Sequence, residues 1–272
     1  MQRRYSLAHL TALACPPPEL IYYAGEAGYD SVGLRPILMH IAGEVNHDFA
    51  HNRTLFNATR KALMDTGVTL NDIEVVRVYD GVNVKEDYEA AMAAGAELGA
   101  QYALTSVWSK DTVYYTEKFA EICELAAKYS LTVALEFVTW SNIENIEQAV
   151  RLLRDVNYTN TAVLVDSLHF YRSRDTIDEI KALPASCFPY FHFCDAPQEI
   201  PADRASLIKT GREERLFVGE GAIDIRAIAA CVPQANIALE IPNLRRVQEM
   251  GVREYVRQCL VHCKQYLEGQ NM

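Results

Sequence analysis

Residues 131–138 read LTVALEFV and residues 161–166 read TAVLVD. Each is a short apolar run that carries one carboxylate at or near its end, Glu136 in the first and Asp166 in the second. Two later runs behave alike: residues 188–193, FPYFHF, carry His192, and residues 237–241, IALEI, carry Glu240. A continuous apolar run of this length, without polar alternation, suits a strand buried on both faces of a parallel sheet. Between the runs lie the helical stretches Asn145–Val156, Ile177–Leu183 and Ile223–Cys231, and Val247–Leu267 follows the last run. The second half of the chain therefore alternates strand and helix.

The first half continues the alternation outward from that core. Tyr5–Leu10, Ser31–Leu34, Ile73–Val78 and Tyr102–Val107 read as strands. Pro18–Ala27, Thr54–Thr66, Lys85–Leu98 and Thr116–Tyr129 read as helices, the last with Phe119, Ile122, Cys123 and Ala126 on one face. Eight βα units in 272 residues predict a single (β/α)₈ TIM barrel spanning 1–272, not a doubly wound sheet. Cys-Pro-Pro-Pro, in place of a glycine-rich phosphate turn, follows the first strand and argues against a dinucleotide fold. The segment from Asp195 to Val218 reads as a long polar loop at the catalytic end of strand seven, where a lid is expected.

Composition narrows the partners. The net charge of −10 disfavours nucleic acid and anionic membranes, and the basic pairs and runs at Arg3, Arg212–Arg215 and Arg245 are short. No run approaches the ~18 apolar residues of a membrane span. Arg3-Arg4 followed by LAHLTALAC faintly resembles a signal peptide, but His9 and Thr11 interrupt the apolar run and favour the strand. The seven cysteines are scattered without a Cys-x-x-Cys pair, so they read as buried small hydrophobes in a reducing cytoplasm.

Barrel active sites lie at the C-terminal ends of the strands. Glu136, Asp166, His192 and Glu240 end four consecutive strands and should converge. Three crowded carboxylates need a cation, and with one imidazole they suit one divalent ion, Mn²⁺, Mg²⁺, Co²⁺ or Zn²⁺. Burial without compensation would be costly for each.

These motifs carry a resemblance. Ala134–Val138, the Asp166-x-x-His169 element, His192–Asp195 and Val218-Gly219-Glu220-Gly221-Ala222-Ile223-Asp224 resemble the xylose-isomerase-like barrel superfamily of sugar phosphate isomerases and epimerases, nearest in look to the inosose isomerase type. The resemblance covers residues 130–242 well and the first half in pattern only. It implies that Glu136, Asp166, His192 and Glu240 are metal ligands and that the two glutamates also transfer protons. It implies that His169 contacts substrate and that Arg215 reaches a substrate oxygen; the alternative for Arg215 is a surface loop arginine. It also implies a small sugar or polyol as partner and a homo-oligomer of two or four copies. Relatives often carry a glutamate on strand two, where this chain has Gly33 with Arg35 close behind, so Arg35 is a candidate for that side of the pocket. Trp108 and Trp140 are placed either to stack on a sugar ring or to pack at the rim, and Asp195 either to hold its loop or to hold His192. His40, His47 and His51 form either a lid or a solvated loop.

The expected activity is a metal-dependent isomerase or epimerase acting on a small sugar, ketose or inosose-type polyol through proton transfer and a metal-stabilised enediolate. Three rivals differ in chemistry. A lyase of the 3-dehydroshikimate dehydratase type would release a conjugated, absorbing product. An AP endonuclease needs more strand-end histidines and a DNA-binding surface. A sugar-binding protein would not need a proton-transfer pair.

Overall fold

The computed structural model describes residues 3–39 and 44–269. Eight parallel strands, β1 (Tyr5–Leu7), β2 (Ser31–Leu34), β3 (Thr69–Val78), β4 (Tyr102–Val107), β5 (Thr132–Glu136), β6 (Thr161–Asp166), β7 (Tyr190–Phe193) and β8 (Asn236–Leu239), follow one another around a closed barrel. Closure is made by β1 pairing with β8, Tyr5 beside Ile237 and Leu7 beside Leu239. The helices are α1 (Pro17–Ala27), α2 (Arg53–Thr66), α3 (Val84–Glu97), α4 (Thr112–Lys128), α5 (Ile146–Val156), α6 (Ser167–Ser173), α7 (Ile177–Lys181), α8 (Arg204–Glu213), α9 (Ile225–Cys231), α10 (Leu244–Met250) and α11 (Val252–Glu268). Asn and Asp side chains start many of them: Asn52, Asn83, Asp111, Asn145 and Asp203 each accept a backbone N–H of the first turn.

Two apolar layers fill the molecule. The larger lies between strands and helices and includes Leu20, Ile21, Phe119, Ile122, Leu152, Val256 and Leu260. The smaller lies inside the barrel and comprises Met39, Val75, Leu104, Ala134, Leu164, Tyr190 and Ala238. Successive side chains on a strand point to opposite faces, so the residue two further on shares the inward face. Two residues beyond Leu104, Ala134, Leu164, Tyr190 and Ala238 stand Ser106, Glu136, Asp166, His192 and Glu240. The strand period and a common direction thus lift a polar ring onto an apolar floor.

Several boundaries differ from those read in the sequence. β1 stops at Leu7, and residues 9–12 form a 3₁₀ turn, because Thr11 Oγ1 donates to Leu239 O and its hydroxyl accepts from Ile241 N. β3 begins at Thr69, four residues earlier than expected, because Thr69, Leu70 and Asp72 pair with Ser31, Val32 and Gly33 of β2. The segment Asp195–Val218 is not one loop: α8 occupies its middle. Asp166 starts an unforeseen helix, α6, by accepting from Leu168 N and His169 N. The last helical stretch is two helices, broken at Gly251 with φ +76°. The cysteines are all free; Cys15, Cys123, Cys194, Cys259 and Cys263 are buried, and Cys187 and Cys231 half-buried. Among the described residues no helix is long and apolar enough to cross a membrane.

Candidate metal centre and active site

Strand register brings the ring together. Asp166 on β6 pairs directly with His192 on β7, and His192 with Ala238 on β8, two residues short of Glu240. Ligand atoms of Glu136, Asp166, His192 and Glu240 all lie within 4.8 Å of one another. His192 Nδ1 stands 3.6 Å from Glu240 Oε1 and 4.0 Å from Glu136 Oε1. Both ring nitrogens of His192 are buried and have no hydrogen-bond partner among the described residues. A buried imidazole with two idle nitrogens among three carboxylates is the arrangement expected of a divalent-metal site, and this donor set fits such an ion.

Arginine partly balances the carboxylates in the absence of metal. Arg215, just after α8, is buried and donates through Nη1 to Asp166 Oδ2 at 2.6 Å, and that nitrogen lies 3.0 Å from Glu240 Oε2. Its Nε donates to Gly211 O at 2.7 Å. Its second terminal nitrogen, Nη2, makes no hydrogen bond to the described residues, and the side chain lines the central cavity. On the other side Arg35 donates through Nε to Glu74 Oε2 at 2.7 Å and sits 3.8 Å from Glu240 Oε1.

These charges drive the two glutamates apart. Burial, with Glu240 and Asp166 nearby, raises Glu136 well above the usual carboxylate range. Burial pushes Glu240 the same way, but Arg215, His192 and Arg35 outweigh it and hold Glu240 well below that range. Burial disfavours charge on His192 too, yet Glu240 and Glu136 overcome it and raise the imidazole to about 10. His169 is held neutral, at about 4, chiefly by burial. Its Nδ1 lies 3.2 Å from Thr139 Oγ1, its ring meets Trp140 edge-on at 4.6 Å, and it lines the cavity.

The cavity above the cluster has a volume of about 560 Å³, well within the range of small-molecule sites. Glu136, Glu240, His169, Arg215, Trp108 and Arg35 all line it, so the structure brings the expected substrate-side residues to one place. Trp108 donates its indole N–H to Ser106 Oγ at 2.9 Å. Asp195 holds its loop: its carboxylate accepts from the backbone N–H of Gly219, Gly221 and Ile223. A Cβ at Gly221 would strike Ala196 O and that same carboxylate, which is why the Gly-Glu-Gly turn needs glycine there. Of the histidines after β2, His40 lies outside the described residues. His47 is buried against Leu13 O at 2.8 Å and stacks on His9, and His51 is exposed beside Asp48, so neither lines the cavity.

Two residues escaped the sequence reading. Asp72 and Glu74 on β3 point into the barrel, and a Cβ on Gly33 would lie 2.5 Å from Asp72 Oδ1 and 2.6 Å from Glu74 Oε1. β2 therefore carries glycine because its neighbour's carboxylates fill that space. Burial, then Glu74, pushes Asp72 up to about 8. The signal is present as Asp72-Ile73-Glu74-Val75, polar at every second position of a buried strand, but it lies mid-strand and not at a strand end.

Comparison with known proteins agrees with this fold. The family described as xylose isomerase-like TIM barrel matches residues 21–257. The chain belongs to that family. Over 109 residues it is 28% identical to an inosose isomerase of Bacillus subtilis (strain 168), covering 39% of this chain and 37% of that protein. An inosose isomerase of Bacillus velezensis is 27% identical over 113 residues, 41% of this chain and 38% of the relative. The matches thus span less than two fifths of these relatives' length. Among solved structures, an IolI protein with a bound zinc atom superposes with a TM-score of 0.81 at 15% identity, covering 99% of this chain and 100% of that one. A D-allulose 3-epimerase from Methylomonas sp. in complex with D-allulose gives 0.68 at 14% identity, with 97% and 98% covered. At such identities the structural likeness speaks for the fold alone.

Proposed function

We propose that this member of the family is a divalent-metal-dependent isomerase or epimerase of a small sugar, ketose or inosose-type polyol. The observation that carries the reading is the pair Glu136 and Glu240, three strands apart on the barrel wall, both lining one cavity and both belonging to the four-residue cluster. A divalent ion held by Glu136, Asp166, His192 and Glu240 would supply Lewis acidity toward a carbonyl and its neighbouring hydroxyl. The zinc of the IolI neighbour and the inosose isomerase relatives support this.

The protein groups then divide the proton work. One glutamate takes the carbon-bound proton beside the carbonyl, and the other returns a proton from the opposite wall, to the adjacent carbon or the opposite face. Arg215 keeps Glu240 ionised and presents its free Nη2 to a substrate oxygen. His169, neutral and pinned by Thr139, offers its remaining nitrogen to a substrate hydroxyl. Trp108 and Trp140 form apolar wall for the sugar carbons.

Incubation with inososes, ketohexoses or hydroxypyruvate in heavy water with added Mn²⁺ tests this. The expected result is deuterium at the carbon next to the carbonyl and interconversion of isomers. Glu136→Gln and Glu240→Gln should each lower kcat by roughly 10²–10⁴. Turnover without deuterium incorporation overturns the proton-transfer reading, and an absorbing conjugated product from 3-dehydroshikimate would make the protein a lyase.

A further inference from the structure

Arg212 takes no part in the four-residue cluster or in the proton transfer assigned to its glutamates. On α8 the residues Ile208, Gly211 and Arg212 recur at helical spacing and all line the central cavity, so this face of the helix forms one of its walls. Arg212 is half-buried there, and it makes no hydrogen bond or ion pair with the described residues. The neighbouring arginines are committed: Arg35 to Glu74, Arg215 to Asp166, Arg77 to Met39 O and Arg204 to Trp140 O. Trp140, on the same wall, has a buried indole N–H without an acceptor among the described residues.

The electrostatics around Arg212 sharpen the point. Burial, then Arg35 and Arg77, and more weakly Arg204, act against its charge, with Glu44 opposing them. Glu44 and Glu213 also line the cavity, and Glu44 favours the charge on Arg212. A partly desolvated cation among like charges is costly, and an anion placed against it would relieve both penalties. A guanidinium matches the two oxygens of a carboxylate or a phosphate in a forked geometry that a neutral hydroxyl cannot use fully.

We propose that the substrate of this cavity carries an oxyanion, a carboxylate or a phosphate ester, seated on Arg212 apart from the carbons that react at the four-residue cluster. The site then discriminates against neutral sugars and inososes of the same length. This inference deepens the isomerase reading and rests on it for the identity of the reacting end, but it is tested by binding and not by turnover.

The probes are D-glucitol, D-gluconate and D-glucitol 6-phosphate, titrated calorimetrically into Mn²⁺-loaded wild type, Arg212→Gln and Arg212→Lys. In wild type one of the two anions should bind roughly tenfold or more tightly than D-glucitol. Which one does so tells carboxylate from phosphate. In Arg212→Gln the preference should fall to within about twofold, with D-glucitol affinity and bound manganese unchanged, and Arg212→Lys should keep part of it. Equal affinities in wild type, or no binding of either anion, overturn the proposal. So does a preference that survives in Arg212→Gln, which would place the oxyanion on the metal instead. A protein that shows the preference but exchanges no deuterium would sink the isomerase reading and leave this one standing.

Discussion

At the residue scale the cluster behaves as a charge-balanced unit. Without metal, the carboxylates of Asp166 and Glu240 face Arg215 and a protonated His192, while Glu136 is held toward its neutral form. Replacing the two protons on Glu136 and His192 by one divalent ion leaves the net charge unchanged. Binding of Mn²⁺ or Zn²⁺ should therefore release protons, and affinity should climb as pH rises toward the raised value of His192. Calorimetry in buffers of different ionisation enthalpy measures this; uptake without proton release would contradict it. His192→Ala removes a ligand whose ring nitrogens make no hydrogen bond to the described residues. Metal affinity should drop by about 100-fold or more, beyond the cost of losing an outer partner, with the circular dichroism spectrum kept. Asp166→Ala is different. It also removes the start of α6, a loss of about 1 kcal/mol, and one of the two carboxylates that face the buried Arg215, which keeps Glu240 as its partner. Its melting temperature should fall well below that of His192→Ala.

At the scale of the element, α8 decides how the cavity is walled. Its Gly211 accepts from Arg215 Nε, and a Cβ there would run into the six-membered ring of Trp140. Gly211→Ala should cost about 1–3 kcal/mol through overpacking. It should also lower kcat/KM further than that loss of stability accounts for, because the guanidinium that faces Asp166 and Glu240 is hung from the same turn. An alanine variant with wild-type kinetics would show that α8 is only a cover. The helix was not foreseen because Arg204–Glu213 is short and mostly polar, and a single apolar contact face of Ile208 and Gly211 gives no periodic signal.

At the scale of the whole molecule, the barrel interior carries a polar seam beneath the site, from Asp72 and Glu74 to Arg35 and Glu240. Asp72 holds its proton up to about 8 in the folded chain, because of burial and the adjacent Glu74. The unfolded chain releases that proton near ~4. Between those values the folded state binds more protons than the unfolded one, so this group's contribution to stability falls as pH rises. Denaturant unfolding of the metal-free protein should show a steeper loss of stability across that window in wild type than in Asp72→Asn. Identical slopes would mean that Asp72 is ionised throughout. The same seam explains Gly33: a side chain on β2 is excluded by carboxylates that belong to β3.

The alternation of apolar runs with helical stretches was enough, from sequence alone, to determine eight βα units and a closed barrel. Parallel strands share one direction, and so the sequence by itself puts Glu136, Asp166, His192 and Glu240 at a common end. That inference needs only the strand period and the position of each residue in its run. The tertiary structure alone decided what lies across the barrel from what. Asp72 and Glu74 meet Gly33 through the register of β2 on β3, Arg215 reaches Asp166 across 49 positions of chain, and Arg212 faces a cavity walled by residues from both halves of the molecule. Side-chain pairing between strands distant in sequence depends on barrel closure and stagger, and a linear pattern of polar and apolar residues carries neither.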